Sequence, residues 1–227
     1  FHTGHASHPW STIVARHPGD AISHLFRDVR LTGLTIEGGA GEPWKFTAPL
    51  IALQPGASLG SFTPSYRNQD DDQPFVFHFQ PTYAIDGTAD TDITGFKIDL
   101  ALGVEELLAQ AITLDEAVVQ NRAIDVEITR RFEDATLWKK IAHGGGVSPT
   151  TSVPTGAFRA AARFNAGASL RELILDVPLL SYRQNALTEL DPDGRTVMET
   201  ISGRALKGAT HALVITLKNS HASGYAS

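Results

Sequence analysis

The chain has 227 residues, 42% of them hydrophobic and 19% charged, with a formal net charge of −6. It contains no cysteine, which excludes disulfides, thiolate catalysis and cysteine-rich zinc sites, and no apolar run approaches the roughly 18 residues that a membrane helix needs. Residues 1–92 carry five Lys/Arg against ten Asp/Glu and residues 93–227 fourteen against fifteen, so no basic face for gripping nucleic acid is advertised.

The chain opens with "HTGHASH", which spaces His2, His5 and His8 by three. Three imidazoles can hold zinc with an open position, but no carboxylate supports them here. The Gly, Ser and Thr between them read as a solvated loop, and no metal site is assigned. Phe1 in place of a methionine leads us to expect that residues are missing before it.

Period-two alternation begins with "DVRLTGLTIEG", where Leu34 and Ile36 share one face and Thr35 and Glu37 the other, as in a half-buried strand. "GGAGEP" turns the chain, and "WKFTAPLIAL" alternates again, with Trp44, Phe46 and Ala48 opposite Lys45 and Thr47. The two stretches are predicted to form a hairpin. A loop rich in Pro, Gly, Ser and Asp follows, then the strand-forming "PFVFHFQPTYAI" and the turn "DGTAD".

Thr-Gly of "LTGLTI" (Leu31 to Ile36) returns in "ITGFKI" (Ile93 to Ile98) sixty-two positions later. "DITGFKIDLALG" places Phe96, Ile98, Leu100 and Leu102 on one face and Lys97 and Asp99 on the other. Its mate "NRAIDVEITRRF" alternates Ile124, Val126 and Ile128 with Asp125, Glu127 and Thr129, so "PWKFTA" of the first unit falls on "AIDVEI" of the second. The echo predicts a tandem duplication. "VEELLAQAITLDEAVVQ", between the second pair, is an insertion that can hold one or two helical turns.

From Glu133 the period changes. "EDATLWKKIAHGGG" offers Asp134 as a cap, Leu137 and Ile141 four apart, lysines near the end and glycine as the stop, and so predicts one helix. "GGGVSPTTSVPTG" is a loop of a length uncommon in compact domains unless it has a role. The remaining stretches, "AFRAAARF", "SLRELILDVPLLSYRQ", "TVMETISGRAL" and "HALVITLKN", read as strands, with "DPDG" (Asp191 to Gly194) as a hairpin turn. "SLRELILDV" is compatible with a helix by composition, but Pro178 and the strands on both sides favour β.

Catalytic signals are weak. "NQDDDQ" lacks the alternation and closing glutamate of a calcium loop, and "GGAGEP" runs into Pro43 and a strand rather than into the helix of a dinucleotide fingerprint. There is no Gly-x-Ser-x-Gly elbow, and the carboxylates sit chiefly on polar strand faces. No catalytic residue and no cofactor is assigned, and the chain is not expected to be an enzyme.

"RDVRLTGLTIEGGAGEPWKFTAPLIA", "ITGFKIDL" with "NRAIDVEITRRFEDATLWKKI", and "LRELILDVPLLSY" followed by "DPDG" resemble the tail tube (major tail) proteins of long-tailed bacteriophages, from about Arg27 onward. The resemblance implies an all-β fold with one short helix, arranged as tandem β-sandwich or barrel-like tail-tube domains. Residues 1–90 would be the C-terminal part of a first domain whose opening strands are missing, and 91–227 a second domain. It implies a virion tail protein, assembled in the host cytoplasm, whose rings stack into a conduit for DNA. The implied partners are other copies of the chain and the tail-end and tape-measure proteins. DNA would pass without specific binding, and no membrane is involved.

With two units per chain the expected ring is a trimer with pseudo-sixfold symmetry. In a ring the faces opposite the apolar ones look inward, so the expected lumen residues are Glu37, Lys45, Lys97, Asp99, Asp125, Glu127 and Thr129. The carboxylates among them would repel phosphates, an argument that Lys45 and Lys97 oppose. Gly144, Gly145, Gly146, Pro149 and Pro154 mark the long loop as an inter-ring contact. The alternative is a ligand- or carbohydrate-binding β-sandwich module, which needs clustered exposed aromatics. Trp44 and Trp138 fall on predicted core faces, leaving only Trp10.

Overall fold

The computed structural model describes residues 11–16, 23–39, 41–54, 58–59, 81–107, 116–119, 121–144, 148, 153–163, 172–187 and 196–218. Its elements, in chain order, are β1 (Ser11–Arg16), β2 (Ser23–Leu31), β3 (Gly33–Gly39), β4 (Lys45–Thr47), β5 (Leu50–Gln54), β6 (Ser58–Leu59), β7 (Thr82–Ile85), β8 (Thr88–Ala89), β9 (Ile93–Ala101), β10 (Val104–Leu107), β11 (Glu116–Val119), β12 (Ala123–Arg131), α1 (Thr136–His143), β13 (Thr155–Arg163), β14 (Glu172–Leu187), β15 (Met198–Ala205) and β16 (Val214–Lys218). Among the described residues the fold is all-β with one short helix. The chain divides into two compact units, Phe1–Leu34 with Thr47–Asp72 and Leu100–Ala123, and Thr35–Phe46 with Gln73–Asp99 and Ile124–Ser227. A boundary at 90/91 falls inside the second unit.

In the first unit β2 lies between β1 and β5, with β6 on its opening residues, and Val29 is buried. "WKFTAPLIAL" is two strands rather than one. Pro49 has no N–H to donate to a ladder; β4 stops at Thr47, β5 starts at Leu50, and the Pro49 carbonyl accepts from Thr32 N at 2.9 Å. The stretch read as a partly helical insertion begins and ends in paired strands, β10 and β11, with Val104 opposite Val119; residues 108–115 lie outside the described set.

The second unit is one ten-stranded sheet in the order β4-β3-β9-β12-β15-β14-β13-β7-β8, with β16 also on β14. The sheet curls back on itself. Phe96 of β9 lies 5.8 Å from Phe158 of β13 and 5.9 Å from Tyr83 of β7, ring centre to ring centre, and Trp44 packs edge-on against Phe96 at 5.0 Å. The edge-to-face pairs of Phe96 with Trp44 and Tyr83 add about 0.5–1.5 kcal/mol each to the burial of the rings. Around them Ile36, Ile98, Ile128 and Ile201 are fully buried, alternating along their strands with polar residues, and Leu175 is fully buried beside the buried Ile174.

The long strand β14 allows the curl. Its first half carries β16, with Leu175 opposite Ile215, and its second half carries β15, with Ser181 opposite Arg204. At the hand-over the register with β13 skips from Val177 to Leu180, and Pro178 occupies this bulge, where no ladder N–H is needed. The Pro178 that argued against a helix thus marks the bulge of a strand.

Helix α1 is held at both ends. Asp134 Oδ1 accepts from Thr136 N at 2.7 Å, so the expected capping residue acts from one position before Ala135, which occupies the N-cap. Gly144, at φ 64°, closes the last turn by donating to Lys139 O. Leu137 is buried, and Lys140 forms an ion pair with Asp86. Asp86 and Gly87, at φ 54° and 79°, form the two-residue turn between β7 and β8, and Asp86 Oδ1 also accepts from Ala157 N at 2.9 Å.

Two expected core positions are corrected. Trp44 is buried, but Phe46 on the same face is 51% exposed and Ala48 is exposed. β4 is a three-residue strand at the end of the sheet, and the core beneath it ends at Trp44. Beside Trp44, Gly38 leaves no room for a side chain: a Cβ there would overlap the indole and lie 2.9 Å from Phe96 Cε1.

The core also holds charge. Glu199, fully buried, lies opposite Arg130 with Oε2 3.7 Å from Arg130 Nε, while Arg130 reaches Asp90 at 3.3 Å and Asp92 at 3.9 Å. Asn185 Nδ2 donates to Glu199 Oε1 at 2.5 Å, but Glu199 Oε2 and Asn185 Oδ1 make no hydrogen bond. Burial pushes the Glu199 carboxyl above its usual range.

Two expectations follow. Gly38→Ala should force Trp44 or Phe96 off its place and cost about 2–3 kcal/mol in a denaturant melt, as overpacking does. For Glu199, a raised native pKa means that its contribution is fully present below the unfolded value and lost as pH rises through the native one. Glu199→Gln keeps the volume and can donate to Asn185 Oδ1. It should raise Tm at pH 8 by about 2–4 °C and give no gain near pH 4; thermal melts across that range check both the sign and the window.

Candidate functional site

The alternation that buries one face of the sheet turns a polar face the other way. In the β12–β15 register Asp125 stands opposite Arg204, Glu127 opposite Ser202 and Thr129 opposite Thr200, between the buried Val126, Ile128 and Ile201. Glu37, Lys45, Lys97, Glu127 and Thr129 line one shallow depression on this face, together with Glu42, Pro43 and the backbone of Gly38 and Gly39. Asp99 and Asp125 continue it along β9 and β12. All seven residues expected from the strand pattern are therefore brought to one face.

Five of them, Glu37, Lys45, Lys97, Asp99 and Asp125, take part in ion pairs. Lys97 Nζ lies 2.8 Å from Asp99 Oδ2, and Thr35 Oγ1 donates to Asp99 Oδ1 at 2.7 Å. Burial pushes the Asp99 carboxyl up, but the hydrogen bonds from Lys97 and Thr35 outweigh it and hold the group below the usual range. The same contact raises the Lys97 pKa. Asp125 takes both arms of Arg204, Nε at 2.9 Å and Nη2 at 3.1 Å, with Arg183 Nη1 at 3.7 Å. The Arg204 hydrogen bonds hold the Asp125 carboxyl low. Lys45 lies 3.7 Å from Glu37, and Arg131, further along β12, lies 2.8 Å from Asp92 and 3.1 Å from Glu133.

Arg183, Arg204 and Thr35 were not among the expected site residues. Thr200, Ser202 and Arg204 alternate with Ile201, Gly203 and Ala205, and that pattern would have placed Arg204 on a polar face. That its fork meets Asp125, 79 residues away, is a property of register alone.

Of the loop residues, Gly144 caps α1 and the Pro154 carbonyl accepts from Tyr182 N at 3.1 Å, while Val153 beside it is 66% exposed. Gly145, Gly146 and Pro149 lie outside the described residues, as do His2, His5, His8, Trp10, "NQDDDQ" and "DPDG". Trp44 is buried, and Trp138 packs edge-on against His143 at 5.3 Å. Neither supplies the open aromatic platform of a sugar-binding sheet. Among the described residues no helix is long and apolar enough to cross a membrane.

A family model described as phage tail tube protein matches residues 9–205, which takes in every strand from β1 to β15. The chain belongs to the phage tail tube protein family. No curated protein sequence matches it. As a member of that family it is a structural component of the virion tail. The polar face described above is therefore a surface of a tail tube subunit.

Asp125 has a lowered native pKa, so its contribution to stability is present above the unfolded value and is lost as pH falls through the native one. Arg204→Gln should move the Asp125 titration upward and shift the onset of acid unfolding to higher pH. Carboxyl carbon NMR titration of the free subunit reads the first, and an acid melt the second.

Proposed function

We propose that this tail tube protein assembles into closed rings that stack into a conduit for DNA delivery into the host, and that the polar face of the ten-stranded sheet lines the lumen. The observation that carries this reading is the paired state of the face: Lys45, Lys97, Arg131, Arg183 and Arg204 each lie within 4 Å of a carboxylate. A wall that a polyanion must slide along cannot hold open cations, because each phosphate contact adds salt-dependent affinity. The ends of the tube would meet the tail-end and tape-measure proteins.

Sheet order bears on the number of chains. The echoed strands β3 and β9 are neighbours, with Thr35 bonded to Asp99 and Gly39 against the Thr94 carbonyl, so they run in opposite directions. A rotation about the tube axis preserves strand direction. A trimer with pseudo-sixfold symmetry would need the echoed strands at two equivalent ring places, which this adjacency disfavours, and we propose instead one chain at each of six places, each giving its whole curled sheet. Among the described residues β4 and β16 are edge strands; they carry exposed Phe46, Ile215 and Leu217 and suit a heterologous joint between copies.

We also propose that the loop between Gly144 and Pro154 contacts the next ring. Both of its ends are fixed, by the helix cap and by the bond to Tyr182.

Negative-stain imaging and mass measurement of the purified protein test the ring; non-assembling monomers would overturn it. The absence of native cysteine allows a test of the wall. Glu127→Cys should react with a small maleimide in free subunits and in tubes, but in tubes it should be closed to a maleimide on a bulky polymer. Equal reaction with both reagents would place this face outside. Replacing residues 145–152 by a tight turn should leave the melting temperature unchanged and sharply reduce tube length; normal tubes would end the inter-ring role.

A further inference from the structure

The polar face is close to neutral. Its central part sets four cations, Lys45, Lys97, Arg183 and Arg204, among five carboxylates, Glu37, Glu42, Asp99, Asp125 and Glu127. Exposed charges are screened within about 8 Å at physiological salt, so a surplus of one carboxylate gives little repulsion of a polyanion. Something other than net charge must keep DNA from adhering to four cations.

We propose that Asp99 and Asp125 are built-in counter-ions that occupy the phosphate-binding groups of this face, and that DNA passes because its cations are already engaged rather than because the wall is acidic. The proposal rests on the reading of this face as the lumen. Arg204 is the clearest case. The planar fork of an arginine matches carboxylate and phosphate alike, and here both of its arms are spent on the two oxygens of Asp125, at 2.9 and 3.1 Å. The same carboxylate holds Arg183 at 3.7 Å. One aspartate therefore masks two arginines. Asp99 masks Lys97 at 2.8 Å and is itself fixed by Thr35 from the neighbouring strand, so the masking group does not swing away. Register enforces the arrangement, since Asp125 and Arg204 are directly opposed across β12 and β15. Glu127 differs: it is exposed on the same face and its charge acts on Lys97 more weakly than that of Asp99, with no ion pair within 4 Å among the described residues.

Masking and repulsion make opposite predictions for two substitutions that remove the same charge. Under repulsion, Asp125→Asn and Glu127→Gln are equivalent. Under masking, Asp125→Asn frees two arginines and Glu127→Gln frees none. The test is fluorescence anisotropy of a short DNA duplex titrated with purified, unassembled subunits, where the face is open. At about 50 mM salt, Asp125→Asn should bind at least about tenfold more tightly than the parent and lose that gain near 200 mM, while Glu127→Gln stays within about twofold of the parent. Adding Arg204→Gln to Asp125→Asn should remove most of the gain, which also separates a freed cation from a misfolded subunit; a thermal melt of each variant checks folding. Equal effects of the two single substitutions, or a gain that survives in the double variant, would overturn masking. Tube imaging and the labelling at position 127 test the lumen reading separately, so either can fail without the other.

Discussion

The curl of a single sheet around Phe96 and Phe158 is the constraint on which the rest of the second unit depends. Once β9 must face β13 and β7 across an aromatic core, every second residue of β3, β9, β12 and β15 is committed to that core. The residues between them are committed to the opposite face. Strand geometry has no third option, because side chains alternate strictly from one side to the other. The core Ile36, Ile98, Ile128 and Ile201 and the polar-face Glu37, Lys97, Glu127 and Ser202 are thus two consequences of one pattern.

The curl needs a hinge and a tie. Pro178 supplies the first, a bulge in β14 at which one strand changes neighbours from β16 to β15. Asp86 supplies the second. It binds the backbone of β13 through Ala157 and the helix through Lys140 from a turn whose two residues both need positive φ. Gly156 completes this corner, where a Cβ would meet the Asp86 carboxylate and the Tyr182 ring. The helix is therefore fixed against the sheet at a defined place, and the loop that follows it departs from a fixed point.

Paired charges on an exposed face contribute little to stability, about 0–1 kcal/mol each. On the proposed reading of this face as the lumen, their regular occurrence has a simpler use than stability, since paired cations are closed to a passing polyanion. The buried Arg130–Glu199 pair is of another kind: its lost hydration is only partly repaid, since Glu199 Oε2 meets Arg130 at ion-pair distance without a hydrogen bond among the described residues.

The sequence by itself determined the all-β class, helix α1 with its glycine stop, and the seven polar-face residues, because period and capping are local properties that neighbours along the chain decide. It also carried a family likeness that the match over residues 9–205 establishes. It misplaced Phe46, since alternation tells which face a residue takes but not where the core beneath that face ends. It could not give the pairing of Asp125 with Arg204, or the antiparallel adjacency of the two echoed strands. Both follow from register between strands distant in sequence, and register is chosen when whole faces pack together. For the same reason only the tertiary structure decided that Lys45, Lys97, Arg183 and Arg204 of the polar face are paired with carboxylates rather than open to a ligand.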